Sequence, residues 1–249
     1  MNTRVSFDAC KSYINCQLQR GETQTQPQAS SPVVTISRQA GAGGVPLAEK
    51  LVNFLRQFDQ REGCPWTMFD KRLVEKVLED HHLSQRIARF MPEDRYSSIQ
   101  DTIESLLGLH PHREALVENT SRTILNLARM GNVIIVGRGA NVVIGFAPNA
   151  LHVRLIGSLE NRVRHIQEYY QMSRAEALDY VKRADEGRKR YLRHNFNKDI
   201  DDPMLYHVVL NTDHVGIEEA VSLIGRMVLD KARTLASQAA VAASPAPGT

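Results

Sequence analysis

Three glycines within four residues, Gly41, Gly43 and Gly44, lie between the apolar run Val33-Val34-Thr35-Ile36-Ser37 and a stretch of helical spacing over 47–58. Strand, glycine turn and helix in that order can cradle a phosphate. Glycines bend the backbone and let it approach an anion, while the helix start supplies unpaired N–H groups and the positive end of its dipole. Ser37-Arg38-Gln39-Ala40-Gly41-Ala42-Gly43-Gly44 is therefore a candidate phosphate-binding loop. It fails the GxxxxGK[ST] signature, which would put Gly at 38, Lys at 44 and a hydroxyl residue at 45. The chain has Arg38, Gly44 and Val45 instead. A second glycine turn, Gly137-Arg138-Gly139-Ala140-Asn141, follows Val133-Ile134-Ile135-Val136. Arginine suits a phosphate because its planar fork donates two parallel hydrogen bonds. A surface arginine paired with a neighbouring helix would fit the same residues.

A third group is basic. Residues 182–198 hold seven Lys or Arg side chains against Asp185 and Glu186, so the positive field of a chain with net charge +3 is local. Arg183, Arg190 and Arg193 share roughly one helical face, with Arg188 and Lys189 beside it. This is either a solvated helix or a lid that brings arginines onto a transferring phosphoryl group, where such cations stabilise the spread negative charge. Asp199, Asp201 and Asp202 could hold Mg²⁺ through water, but a turn with Asp202 capping against Pro203 is the plainer reading. Asp70 could touch a sugar or base, or cap a helix starting at Lys71. The pairs His81-His82 and His110/His112 do not place two imidazoles on one helix face, so no metal site is assigned.

Composition bounds the rest. The 249 residues, 42% hydrophobic and 24% charged, suit one large or two small globular domains. Cys10, Cys16 and Cys64 form an odd set without metal-ligand spacing, which argues against a disulfide framework and a zinc site and makes the cytoplasm the default compartment. No apolar run approaches the roughly 20 residues of a membrane span. The positive charge is confined to this helix and the rest of the chain is near neutral, so nucleic acid is not the expected partner.

These groups need elements to position them. Residues 1–31 read as a disordered tail; Tyr13, Ile14 and Leu18 could form a short docking helix, but the segment's polarity favours disorder. Residues 236–249, rich in Ala, Ser and Pro, read as a second tail. Between them lie strands at Val33–Ser37, Trp66–Phe69, Val133–Val136, Leu151–Leu155 and Tyr206–Leu210. Helical patterns cover 47–58, Lys71–His82, 84–130 with interruptions, Leu159–Tyr170, Arg174–Leu192 and Ile217–Leu235. Five strands mostly separated by helices imply an α/β domain with a parallel sheet covered on both faces. Ligands in such sheets bind past the C-terminal strand ends, where Ser37 to Gly44, Asp70, Arg138 and Asn211-Thr212-Asp213 fall.

Ile36-Ser37-Arg38-Gln39-Ala40-Gly41-Ala42-Gly43-Gly44, Phe69-Asp70-Lys71 and Val136-Gly137-Arg138-Gly139-Ala140-Asn141 together resemble the cytidylate kinase-like family of P-loop proteins. So do Asp185-x-x-Arg188-x-x-Tyr191 and Asp202-Pro203-x-x-Tyr206-His207-x-Val209-x-Asn211-Thr212. The resemblance runs from about 33 to 225. It implies a P-loop NTPase-type three-layer fold over 32–235, with a five-stranded parallel sheet, a helical NMP-binding insertion at 71–130 and a lid at 172–203. It also implies a nucleoside monophosphate kinase-like activity, with ATP and Mg²⁺ as cofactors and CMP, dCMP or a related small molecule as acceptor. A nucleotide-binding regulatory module without turnover is the alternative. By this resemblance Gly41 to Gly44 would cradle the donor phosphates, Arg138 would meet the acceptor phosphate or the transferring group, and Arg188 would act from the lid. The candidate site as a whole is then Ser37 to Gly44 for the donor, Arg38, Arg138 and Arg188 for the transfer, and Asp70, Arg138, Asn141, Arg183 and Arg190 for the acceptor. True cytidylate kinases carry a lysine where this chain has Gly44, and Gly-Arg-Asp where it has Gly137-Arg138-Gly139. Arg38 is the nearest candidate to replace that lysine; Lys50 lies too far into the helix.

Overall fold

The computed structural model describes residues 7–23, 31–80, 82–83 and 114–243. Its centre is a sheet of five parallel strands: β1 (Val33–Arg38), β2 (Thr67–Asp70), β3 (Val133–Val136), β4 (Ala150–Ile156) and β5 (Val208–Asn211), in the order β2-β3-β1-β4-β5. Around it lie α1 (Phe7–Thr23), α2 (Gly44–Phe58), α3 (Lys71–Glu79), α4 (Glu114–Met130), α5 (Ala140–Ile144), α6 (Leu159–Tyr170), α7 (Arg174–Phe196) and α8 (Ile217–Ala243). A short 3₁₀ turn, Pro203–Leu205, leads into β5.

Side-chain alternation along the strands divides the core into two layers. Val34 and Ile36 of β1 point to the face covered by α2 and α8, where Leu47, Leu51, Leu55, Ile224 and Val228 are buried. Val33, Phe69 and Ile135 face the opposite layer of α1, α3, α4 and α5. Because all five strands run the same way, their C-terminal ends deliver Arg38, Asp70, Gly137, Gly157 and Thr212 to one edge of the sheet. No helix among the described residues is long and apolar enough to cross a membrane.

The expected parallel α/β sheet is present, with all five strands within two residues of their expected ends. The two tails are corrections. Residues 7–23 of the supposed N-terminal tail form a helix, because Cys10, Tyr13, Ile14, Gln17 and Leu18 recur at helical spacing and are all buried. The Tyr13 ring meets Phe69 edge-on, and Gln17 Nε2 donates to the Met130 carbonyl at 3.0 Å. At the other end α8 continues through 236–243, because a run of good helix formers extends it past its last core contact. Lys71–His82 ends earlier than expected, at Glu79, where Asp80 closes the helix. Of the expected helices over 84–130 only α4 is described; the rest, with His81, His110 and His112, lies outside the described residues.

The cysteine reading is also corrected. Cys16 of α1 and Cys64, just before β2, form a disulfide with Cα atoms 5.8 Å apart. Spacing in the chain could not show that the helix folds back onto this loop. The odd count reflects Cys10, whose buried thiol is pushed up to about 12 by burial and then by Asp70. The cysteine count therefore gives no ground for assigning a compartment.

Beneath the sheet, His152 is fully buried. Its Nε2 faces the Gly145 carbonyl at 2.7 Å, which can only accept, so Nε2 carries the proton and Nδ1 accepts from the Thr35 hydroxyl at 2.8 Å. Burial pulls its pKa from 6.5 to about 4, against the pull of the Gly145 carbonyl and with help from His207 and Lys231.

Two stability predictions result. Cys16→Ser should cost about 2–4 kcal/mol in urea unfolding under oxidising conditions, the range for a bridge closing a loop of this length; an unchanged midpoint would contradict the tethering role of α1. Between pH 6.5 and 4 the unfolded chain binds more protons than the folded one, so the stability that His152 gives above pH 6.5 is lost on acidification, up to about 3 kcal/mol. Denaturation series at pH 7 and 4.5 should therefore show a smaller acid loss in His152→Gln than in the wild type, and equal losses would count against this assignment.

Candidate active site

At the end of β1 the backbone turns out of the sheet. Gln39 N–H donates to the Leu155 carbonyl at 3.0 Å, and the Ala42 amide to Gln39 at 3.3 Å. Gly41 has φ +81°, and a side chain there would run into the backbone of Arg162 on α6, so this position needs glycine on both counts. α2 then starts from Gly43 with no side-chain cap and no acidic residue in its first turn. Its positive end and the amides of Gly44 and Val45 are left for an outside anion.

Arg38 decides the character of this loop. Its stem crosses Gly44: a Cβ at 44 would lie 2.8 Å from Arg38 Cγ and 3.1 Å from Cδ. Its guanidinium continues over Gly137, where an added Cβ would collide with Nη1. In this conformation of Arg38 a side chain at 44 meets its stem, so a lysine there would require the arginine to move, and the departures at 38 and 44 are linked. Burial lowers the Arg38 pKa to about 10, with Arg188 and Arg138 acting in the same direction and Asp70 and Tyr180 opposing. The group remains charged at neutral pH among other cations.

Arg138 enters from the neighbouring strand. It has φ +57° between Gly137 and Gly139, at +86° and +67°. A non-glycine residue held there costs roughly 1–3 kcal/mol, and such strain clusters at functional sites. Its guanidinium pairs with Glu75 of α3 and lies 5.7 Å from the Tyr191 ring centre, while its Nε is buried without a hydrogen-bond partner. Arg38, Lys71, Arg138, Asn141, Arg183 and Arg188 line one cleft of about 400 Å³, and no acidic side chain among the described residues lines it. A second cleft, about 370 Å³, lies across α7 and is lined by Arg154, Arg162, Lys182 and Lys189 with Asp185, Glu186 and Asp201. Arg38 and Arg188 line both.

The other expected site residues divide. Asp70 Oδ1 accepts from Leu73 N–H at 2.8 Å, so it caps α3 while lending its charge to Arg38. Asn141 is buried at the cleft floor and reaches the Leu205 carbonyl at 3.4 Å. Arg183 reaches the cleft rim, paired with Asp179. Arg190 is exposed and lines neither cleft. Ser37 accepts from Arg154 at 2.9 Å and from Tyr206 at 3.3 Å, and Gln39 accepts from the Gly157 amide at 3.0 Å. Ala42 is buried in the layer under α2. Lys50 pairs with Glu218 on α8.

Two arginines were not legible as site residues. Arg154 is buried on β4 between Ser37 and Asp201, 2.7 Å from the latter; a full charge inside a mostly apolar strand was the available signal. Arg162 of α6 is also buried. Its Nε donates to the Gly157 carbonyl at 2.9 Å, and its Nη1 to the Ala40 carbonyl at 3.1 Å and to Asp185 at 2.6 Å. Nothing in its sequence setting marks it. Ala40 packs among Val163, Ile166, Ala177 and Val181, so the hairpin of α6 and α7 grips the loop at its tip.

The donor set does not fit a Mg²⁺ ion held by the protein itself. Val45 offers no hydroxyl, and no group of three or more His, Cys, Asp or Glu among the described residues could hold a metal. Four of the nearby carboxylates are engaged: Asp70 in its cap, Glu75 with Arg138, Asp185 with Arg162 and Arg188, Asp201 with Arg154 and Lys189.

The packing of Arg38 on Gly44 can be tested by a double-mutant cycle. Gly44→Ala should cost about 1 kcal/mol with Arg38 present, from overpacking against its stem, and should cost less in Arg38→Ala, where the Cγ and Cδ contacts are gone and only the contact with the Cβ of residue 38, at 3.2 Å, is left against the better helix former. Equal effects in both backgrounds would mean the two residues do not meet.

The comparisons with known proteins agree with this architecture. The structure is similar to an uncharacterized protein from Eubacterium ventriosum ATCC 27560, with TM-score 0.61 and 18% identity over 80% of this chain and 99% of that one. A shikimate kinase from Bacteroides thetaiotaomicron aligns with TM-score 0.43 and 14% identity, over 79% of this chain and 98% of that one. No curated protein matches the sequence. The model of the cytidylate kinase-like family matches residues 33–214, from the first residue of β1 to just past the end of β5. The chain belongs to the cytidylate kinase-like family and is a nucleotide kinase-like protein.

Proposed function

We propose that the protein transfers the terminal phosphoryl group of ATP to CMP, dCMP or a related small phosphorylated acceptor. The observation that carries this reading is the Arg38 side chain, which crosses Gly44 and ends over Gly137 between two cationic clefts. Family membership supplies the reaction class. The geometry supports an arrangement for it. The donor phosphates lie along Ser37 to Gly44 against the uncapped start of α2. The acceptor occupies the cleft of Lys71, Arg138, Asn141 and Arg183, on the side of the proposed NMP-binding insertion. Arg38 and Arg188, which line both clefts, meet the phosphoryl group between them.

Phosphoryl transfer asks little covalent chemistry of the protein. Positioning and stabilisation of the equatorial oxygens do most of the work. Guanidinium forks buried beside one another suit that task, because no solvent must reorganise as the charge shifts. The proposed lid at 172–203, whose helix α7 packs with α6 over the loop, excludes water that would otherwise hydrolyse the donor. Any Mg²⁺ would be brought by the nucleotide's own phosphates.

A second reading, a nucleotide-binding module without turnover, is favoured by Val45 and by the engaged carboxylates. One assay separates the two. With ATP·Mg²⁺ and a panel of nucleoside monophosphates, the kinase reading expects ADP formation that depends on one acceptor. A nucleotide-dependent thermal shift without ADP would support the binding module, and neither signal would contradict both. Arg38→Ala should weaken ATP binding at least tenfold, and Arg138→Ala should lower turnover by about 10²-fold or more, as for loss of a phosphoryl-contacting cation. The exchange Arg38→Gly with Gly44→Lys should restore ATP affinity to within a few-fold of wild type. Unchanged affinity and turnover in both single variants would overturn the assignment.

A further inference from the structure

The carboxylate of Asp185, on α7, sits on the glycine loop. Its Oδ1 accepts the Ala40 N–H at 2.6 Å and Arg188 Nη1 at 2.9 Å, and its Oδ2 accepts Arg162 Nη1 at 2.6 Å. One loop amide and two guanidiniums around a pair of oxygens form the donor set that a phosphoryl group would use. The carboxylate here stands in for two oxygens of such a group. We propose that this seat is the loop's oxyanion subsite, and that Asp185 is an internal occupant which an incoming polyphosphate must displace. The proposal rests on the phosphate-loop reading given above, and it adds a residue that sets which anions gain entry.

Two anions cannot share the seat. The Ala40 amide has one hydrogen, and a phosphoryl oxygen placed beside a carboxylate meets like-charge repulsion. The partners of Asp185 differ in what they can do once it leaves. Arg162 is buried and anchored elsewhere, with Nε on the Gly157 carbonyl and Nη1 also on the Ala40 carbonyl, so it stays to receive the new anion. Arg188 is only partly covered and pairs with Asp185, one turn before it on the same helix, so it can follow the phosphoryl group. Displacement also breaks the polar tie between α7 and the loop and leaves the apolar grip of Ala40 among Val163, Ile166, Ala177 and Val181. The seat thus exchanges an intramolecular anion for an external one. Apparent affinity is lowered by the fraction of molecules with Asp185 in place. A ligand with several phosphates, which also reaches Arg38 and the start of α2, overcomes this more readily than a single phosphate does.

The test uses the full chain, with inorganic tripolyphosphate and inorganic phosphate as probes without nucleotide or metal, followed by calorimetry at fixed ionic strength. Asp185→Asn keeps the shape and an acceptor oxygen for Ala40 but removes the charge. It should bind tripolyphosphate about tenfold more tightly than wild type and should narrow the preference for tripolyphosphate over phosphate. Equal or weaker binding by the variant, or no binding by either protein, overturns the proposal. In the wild type, the carboxyl carbon resonance of Asp185 and the amide resonance of Ala40 should both shift on saturation with tripolyphosphate. If neither moves at saturation, Asp185 has not left its seat and the proposal fails, whatever the variant's folding. Tighter tripolyphosphate binding by Asp185→Asn without ADP formation by the wild type would uphold this inference while contradicting the kinase reading. Turnover with unchanged tripolyphosphate affinity would do the reverse.

Discussion

The site depends on one contact, the stem of Arg38 lying against the bare α-carbon of Gly44 with its guanidinium over Gly137. It places a buried positive charge at the mouth of the glycine loop, where burial and the neighbouring arginines pull its pKa down to about 10. Burying a cation among cations is costly unless anions are near. The surroundings show how that cost is met without a ligand: Asp70 faces Arg38, Glu75 holds Arg138, Asp185 holds Arg188 and Arg162, and Asp201 holds Arg154. Each of these carboxylates sits on an element other than the loop itself. The site's charge is balanced by its own periphery, and a bound polyanion would take over that role from the centre.

The scaffold serves this balance. Parallel strands bring the ends of β1, β2 and β3 side by side, so that a residue from each, Arg38, Asp70 and Gly137, lies within one small region. The left-handed backbone at Gly137-Arg138-Gly139 is strained, and it is held by Phe196 and Leu192 of α7 packed against Gly139. Behind β2, α1 and the Cys16–Cys64 bridge support the strand that carries Asp70. The hairpin of α6 and α7 closes the other side through Arg162, which ties the Ala40 and Gly157 carbonyls together.

Much of this was legible in the sequence, and the parts that were not share a cause. Strands such as Val133–Val136 announce themselves by apolar runs, and the glycine turns follow them directly, so the sheet and its ligand edge could be read locally. The helix α1 was misread because the polar segment that follows it colours the whole N-terminus, although Cys10, Tyr13, Ile14 and Leu18 keep helical spacing. The disulfide, Arg162 and the seat of Asp185 depend on contacts between segments far apart in the chain, which spacing does not encode. Arg190 shows the converse case. Seven residues from Arg183, it keeps nearly the same helical face but stands about 10 Å further along the axis, which is enough to carry it past the cleft. Gly44 is the most instructive position. In sequence it reads as a lost lysine; in the structure it is the space that an arginine six residues earlier requires.

The account turns on that arginine meeting a phosphate, and the most direct measurement is a crystal structure of the protein with a non-hydrolysable ATP analogue. It should show Arg38 still crossing Gly44, with a guanidinium nitrogen within about 3 Å of a β- or γ-phosphate oxygen. An analogue bound along the loop with Arg38 turned away from its phosphates, or bound in neither cleft, would contradict the central claim.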